Sequence, residues 1–199
     1  RASESLPSAT SFADFAIEQL TQAVRPEHAA DEAYWLGRFS GSVPVLDLPT
    51  DRPRQAQRSF ASHREDFALD ADLVASTRKL GARQGASLFS TLVAGFAATL
   101  HRVCGTDDLV VGVPAAGQSA PGFAGVVGHC VNLLPLRVAI DANAPLTQVV
   151  ATAQTTMLDA FEHQQYTFGT LLKKLVLERD PSRMPLVSVM FNLDQALDA

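Results

Sequence analysis

The spacing of hydrophobic positions in this chain changes period several times, and each change marks an element. Phe12, Phe15, Ala16 and Leu20 recur at helical spacing behind Ser11, a candidate N-cap with Asp14 three residues on. Residues 29–39 continue as a second helical piece carrying Tyr34 and Trp35. Pro44, Pro49 and Pro53 make 43–58 a connector, because each proline removes a backbone donor and fixes a dihedral. Over 60–69 the period falls to two. Ala61, Phe67 and Leu69 alternate with Ser62, Arg64 and Asp66, which predicts a strand with one face in water. Helical spacing returns over 71–83 and 87–103. Apolar residues cover much of the second segment's circumference, from Leu88 to Val103, so a buried helix is expected, closed by Gly105.

The second half mixes both periods. Leu109 to Val113 is a short apolar strand, 114–126 a loop rich in Gly, Ala and Pro, and 129–140 a further strand. Pro145 opens a helix at the first helical position, with Leu146, Val149, Val150, Ala153, Met157, Ala160 and Phe161 as its stripe. Thr167 caps a short helix carrying Phe168, Leu171, Leu172 and Leu175. Residues 186–193 close as a strand with Val187, Val189, Phe191 and Leu193 on one face. The predicted order is helix, strand, two helices, two strands, two helices, strand. It reads as an α/β fold of the α+β two-layer sandwich kind, a mixed sheet with helices packed on one side. Four strands are few for this length and the last ends on an apolar face. The lobe is therefore expected to be incomplete at both ends.

Composition narrows the function classes. A hydrophobic content of 47% suits a packed core, and a net charge of -5 argues against a nucleic-acid partner. No apolar run approaches the ~20 residues that span a bilayer, so no membrane partner is expected. Arg1 to Thr10 is polar, lacks a signal-peptide core and reads as a cut inside a longer chain. Two cysteines support neither a disulfide framework nor a zinc site, and a cytoplasmic setting follows most simply.

Candidate chemistry is sparse. Cys130 follows His129, but strand neighbours point to opposite faces, so no dyad forms and Cys130 reads as a buried apolar residue. Gly117 to Pro121 lacks the strand–turn–helix context of a nucleophile turn. Asp159 and His163 sit four apart on a helix without a third ligand, so no metal site is assigned. Arg52, Arg54, Arg58 and Arg64 form either a solvated rim paired to Asp51, Glu65 and Asp66, or a docking surface for a phosphate or an acidic protein. Asn132 stands among apolar residues. It either ties two segments together or presents a carboxamide to a channel; unpaired, it costs about 1–3 kcal/mol. Arg179, Asp180 and Arg183 around Pro181 make either a turn locked by an ion pair or a clamp to another lobe.

Six segments in this order resemble the C-terminal lobe of condensation domains from nonribosomal peptide synthetases. They are Phe12-Ala13-Asp14-Phe15-Ala16, Leu48 to Arg54, Val113 to Gln118, Val127-Gly128-His129-Cys130-Val131-Asn132, His163 to Gly169, and Arg179 to Leu186. Departures fall at Glu18, Gln118, Cys130, Thr167 and Gly169. The resemblance implies a chloramphenicol-acetyltransferase-like lobe over residues 1–199, divided into a helical entry with its Pro-rich connector (11–58) and a sheet–helix lobe (59–199). It implies amide-bond formation between carrier-bound thioesters, with partners that are the N-terminal lobe of the same domain and donor and acceptor carrier proteins. No cofactor is bound directly; the 4'-phosphopantetheine arms belong to the carriers. The family's His-His-x-x-x-Asp-Gly motif is not in this chain, so no catalytic residue is assigned. Asn132, Cys130, Ser188 and Met190 are then expected along a substrate tunnel, Arg179, Asp180 and Arg183 at an inter-lobe bridge, and Arg52, Arg54 and Arg58 at a carrier or phosphate docking surface. A carrier-docking scaffold without catalysis is the alternative function, and an independent acyltransferase a weaker third.

Overall fold

The computed structural model describes residues 9–117 and 122–194. Helices α1 (Phe12–Gln22), α2 (Pro26–Arg38), α3 (Ala71–Arg83) and α4 (Leu88–Cys104) precede strands β1 (Asp108–Ala116) and β2 (Val131–Ala139). Helices α5 (Leu146–Glu162) and α6 (Phe168–Lys174) and a two-residue strand β3 (Val189–Met190) follow.

Local chemistry sets the helix ends. Ser11, Asp70, Ser87 and Thr167 each lie in extended conformation and accept a backbone N–H from the first turn that follows. Gly105 takes the left-handed conformation, φ 66°, and returns its N–H to the His101 carbonyl at 2.9 Å. Pro145 is the residue before α5 rather than its first residue, because its ψ of 151° is still extended.

β1 is the central strand of a β2-β1-β3 sheet. It pairs antiparallel with β2, Val111 opposite Leu136, and parallel with β3, Val111 opposite Val189. Pro135 is tolerated within β2 because β2 is an edge strand. Helix α4 packs on β1, α5 on β2 and on α4, and α3 on α4. Val93, Ala94 and Ala97 of α4, Val150 and Ala160 of α5, and Leu109, Val111, Leu134 and Val138 of the sheet form the dry centre. α3 contributes Gly81, its one buried residue, pressed against Thr91 of α4.

Three expectations need correction. The strand over 60–69 does not form; that stretch is exposed and unpaired, so the sheet has three strands among the described residues. The closing strand shrinks to two residues. Leu186 adopts φ 65° in a tight turn whose Val187 N–H reaches the Pro185 carbonyl at 2.7 Å, and pairing starts only beyond it. The apolar side of α1 is mostly open: Phe15 is buried against Phe123 and Val126, while Phe12 and Leu20 face solvent.

Candidate functional site: a basic groove beside the closing turn

Residues 179–188 fold back against the connector. Asp180 accepts the Ser182 N–H at 2.8 Å, and Ser182 holds its carboxyl below the ordinary value. Arg183 reaches the other way, donating to the Leu46 carbonyl at 3.3 Å and to Asp47 at 3.2 Å. Its Nε lies 2.7 Å from Asp180 Oδ2 but off the N–H direction, so that contact is Coulombic and the buried N–H has no hydrogen-bond acceptor. The Arg58 N–H donates to the Pro181 carbonyl at 3.0 Å, and its guanidinium lies 4.9 Å over the Phe60 ring.

Between these segments and α6 runs an open groove of about 1390 Å³. Val43, Val45, Leu172, Leu175, Met184 and Leu186 supply apolar wall, and Arg58, Lys173, Glu178, Arg179, Asp180 and Arg183 supply charge. Asp180 and Arg183 neutralise one another. Lys173 and Arg179 have no ionic partner among the described residues, which leaves the groove net positive. Arg58, Arg179, Asp180, Arg183 and Ser188 thus all line this groove.

The other expected residues lie elsewhere. Arg52 and Arg54 are exposed on the connector, outside the groove. Met190 is exposed near Gly112, on β3. Cys130 is buried with Phe15, Phe123 and Val126 while His129 faces solvent, but both precede β2, which starts at Val131 rather than at 129. Asn132 is saturated. Its Nδ2 donates to the carbonyls of Gln164 (2.8 Å) and Tyr166 (3.1 Å), and its Oδ1 accepts from the N–H groups of Leu133 (2.9 Å) and Phe168 (3.0 Å). The carboxamide staples β2 to the loop before α6 and keeps no donor for a ligand. The segment Gln118 to Pro121 lies outside the described residues.

That same loop carries contacts the sequence reading missed. His163 Nδ1 lies 2.7 Å from Asp31, and its ring stacks on Tyr34 with centroids 4.1 Å apart. The Trp35 indole donates to the His163 carbonyl at 2.8 Å. The Tyr166 hydroxyl donates to Glu32 at 2.9 Å, and Lys174 caps the same carboxylate at 2.9 Å. Burial, and then the Glu32 carboxylate, push the Tyr166 phenol up to about 12. Asp31 and Trp35, four apart on α2, were the available signal. A second hollow of about 820 Å³ contains Arg38, Arg137 and Asp108, but Arg137 is already spent on Asp108 and on the carbonyls of Arg38 and Ser42.

With this geometry in hand, the sequence profile named Condensation domain matches residues 2–198. The chain belongs to the condensation-domain family. It is 40% identical over 182 residues to surfactin synthase subunit 2 of Bacillus subtilis (strain 168), covering 92% of this chain and 5% of that subunit. Its fold superimposes on the X-domain from teicoplanin biosynthesis with a TM-score of 0.83 at 26% identity, covering 96% of this chain and 43% of that one. The first condensation domain of the calcium-dependent antibiotic synthetase gives 0.75 at 24% identity, covering 88% of this chain and 38% of that one. This condensation-domain chain thus spans a small part of the synthase subunit and less than half of either solved chain. Its mixed sheet, three-stranded among the described residues, with layered helices is a fold of chloramphenicol-acetyltransferase type. No single helix among its described residues is long and apolar enough to cross a membrane.

Proposed function

We propose that this chain is the C-terminal lobe of a peptide-synthetase condensation domain acting in the cytoplasm, and that it works with an N-terminal lobe on two carrier proteins. The carriers present thioesters on 4'-phosphopantetheine arms. The acceptor amine attacks the donor carbonyl, a C–N bond forms, the C–S bond breaks, and the amine proton leaves as the donor thiol is released. A base must handle that proton, and this chain contributes none: its sequence has no His-His-x-x-x-Asp-Gly.

The observation that carries the reading is the convergence of Arg58, Arg179, Asp180, Arg183 and Ser188 on one open, net-positive groove. A phosphodiester and an acidic carrier surface are what unpaired cations on an open rim recognise. Lys173 and Arg179 are assigned to that contact, Arg52 and Arg54 to its outer reach along the connector. Asp180 and Arg183 position the turn, and in the two-lobe domain this rigid turn is the bridge. The apolar wall suits the acyl part, with Ser188 and Met190 on the exposed side of the closing segment, while Cys130, buried with Phe15 and Val126, and Asn132, tied to the loop before α6, do not line it.

The test is a condensation assay on the parent polypeptide with both loaded carriers. Arg179→Glu is expected to raise the KM for one carrier roughly tenfold with kcat nearly unchanged, and to steepen less with salt. An unchanged KM for both carriers contradicts the assignment. Carrier binding without turnover in a parent that has both lobes favours the scaffold alternative.

A further inference from the structure

The hollow of about 820 Å³ beside α5 has no part in the proposed reaction and shares no lining residue with the basic groove. It lies between the C-terminal end of α2, the start of β1, the end of β2, the loop that follows β2 and one face of α5. Gln148, Thr152 and Thr156 are spaced four apart on α5, so they share the face that lines it. Thr156 is only 7% exposed, yet its hydroxyl bonds nothing among the described residues. Other helical threonines of this chain return the hydroxyl to the carbonyl four residues back: Thr77 to Leu73, Thr99 to Gly95 and Thr155 to Ala151. Thr156 instead keeps its hydroxyl for the hollow, and a buried polar group without a partner calls for a ligand or a water.

The charges on the walls are held apart. Arg137 is taken up by Asp108. Arg38 gives one N–H to the Arg137 carbonyl and has no carboxylate partner among the described residues. On the loop after β2, Asp141 accepts the Asn143 N–H at 2.8 Å and has no cationic partner among them. Asp107 meets His101 at 3.1 Å on the exposed rim. One guanidinium and two carboxylates thus line the same hollow without pairing with one another. Backbone contacts explain the separation, since Arg38 is tied to β2 and Asp141 to its own turn.

We propose that this hollow is a binding site for a free basic amino acid. The ligand's carboxylate takes the unused N–H groups of Arg38 and the hydroxyls of Thr152 and Thr156, and its ammonium groups go to Asp141 and Asp107. Two carboxylates against one guanidinium favour a ligand that carries both signs with a positive excess. Inorganic phosphate is repelled by Asp107 and Asp141, and a bare metal cation by Arg38. Small-molecule sites run from about 300 to 1,000 Å³ and orient the ligand with a few placed polar groups, which this hollow matches in size and lining. The proposal does not depend on the two-lobe reading.

Hydrogen exchange on the parent polypeptide with added free lysine locates binding without relying on activity. Amides of residues 139–152 are expected to slow at least about threefold at millimolar lysine. Lysinamide, which lacks the carboxylate, and Nα-acetyllysine, which lacks one ammonium, are each expected to need at least about tenfold more for the same protection. Arg38→Gln and Thr156→Val are expected to raise the half-saturating lysine concentration about tenfold. Asp141→Asn, on the surface and still able to accept from Asn143, is expected to do the same with the fold intact. No protection of these residues up to about 10 mM lysine overturns the proposal, and so does lysinamide acting as well as lysine. Unchanged protection in Asp141→Asn overturns it too. Amides that are fully protected in the parent before lysine is added, and indifferent to it, assign the hollow to a contact with the rest of the polypeptide and also overturn the site. Each of these results leaves the two-lobe reading standing.

Discussion

Replacing Asn132 separates two roles that its position allows. The carboxamide satisfies two carbonyls and two N–H groups at 2.8–3.1 Å. In Asn132→Ala all four lose their partner. An unsatisfied buried polar group costs about 1–3 kcal/mol, and this site is half-buried, so water recovers part of the loss. The net destabilisation is expected at about 2–4 kcal/mol, read from the urea midpoint of the parent polypeptide at constant m-value. Asn132→Asp keeps the volume but turns two donors into acceptors facing the carbonyls of Gln164 and Tyr166. It is expected to be at least as destabilising at neutral pH and milder in acid, where a protonated carboxyl donates once. A midpoint unchanged within about 0.5 kcal/mol, together with lost condensation activity, refutes the staple and makes Asn132 a tunnel group.

Tyr166 supplies a pH signature. Its phenol is held protonated, its pKa pushed up to about 12, so the stabilisation is complete below the free value near 10 and is lost as pH rises toward 12. Ultraviolet titration of the two tyrosines is expected to show a late tyrosinate step that Tyr166→Phe abolishes. Glu32 gives the opposite limb: Lys174, then Tyr166, hold its pKa down, so its contribution is present above the ordinary carboxylate range and fades as pH falls through the lowered value. At the α3–α4 crossing, a Cβ on Gly81 would sit 2.1 Å from Thr91 Oγ1, which cannot swing freely because it donates to the Ser87 carbonyl. Gly81→Ala is expected to cost about 1–3 kcal/mol in denaturation, while Gly95→Ala, with open space around it, is expected to stabilise α4 by roughly 0.5–1 kcal/mol.

Elements with a local cause were legible in the sequence. Ser87, Gly105 and Thr167 mark helix ends through their own side chains or their missing Cβ, and α3, α4 and α6 lie where their periodicity puts them. β1 and β2 extend to Ala116 and begin at Val131, because the ladder between them, not the apolar run alone, sets their length. The alternation over 60–69 gave the backbone period but not the pairing, since a strand needs a partner that no pattern within these residues supplies. Leu186 at positive φ delays β3 in a way that a leucine in an apolar run does not announce. At the candidate site, the Arg179–Arg183 turn was readable because its partners are a few residues apart. The Asp31–His163 and Glu32–Tyr166 pairs join positions 132 and 134 residues distant and left only a helical i, i+4 trace.

Reconstitution bears most directly on the central idea that these residues form half of a shared acyl-transfer cleft. Chain 1–199 is incubated with donor and acceptor carriers loaded on their pantetheine arms, with and without the complementary lobe, and amide product is followed by mass spectrometry. Product that requires the added lobe, and falls when Arg179 is reversed to Glu, is the result expected. Amide formation by the 199 residues alone contradicts the account.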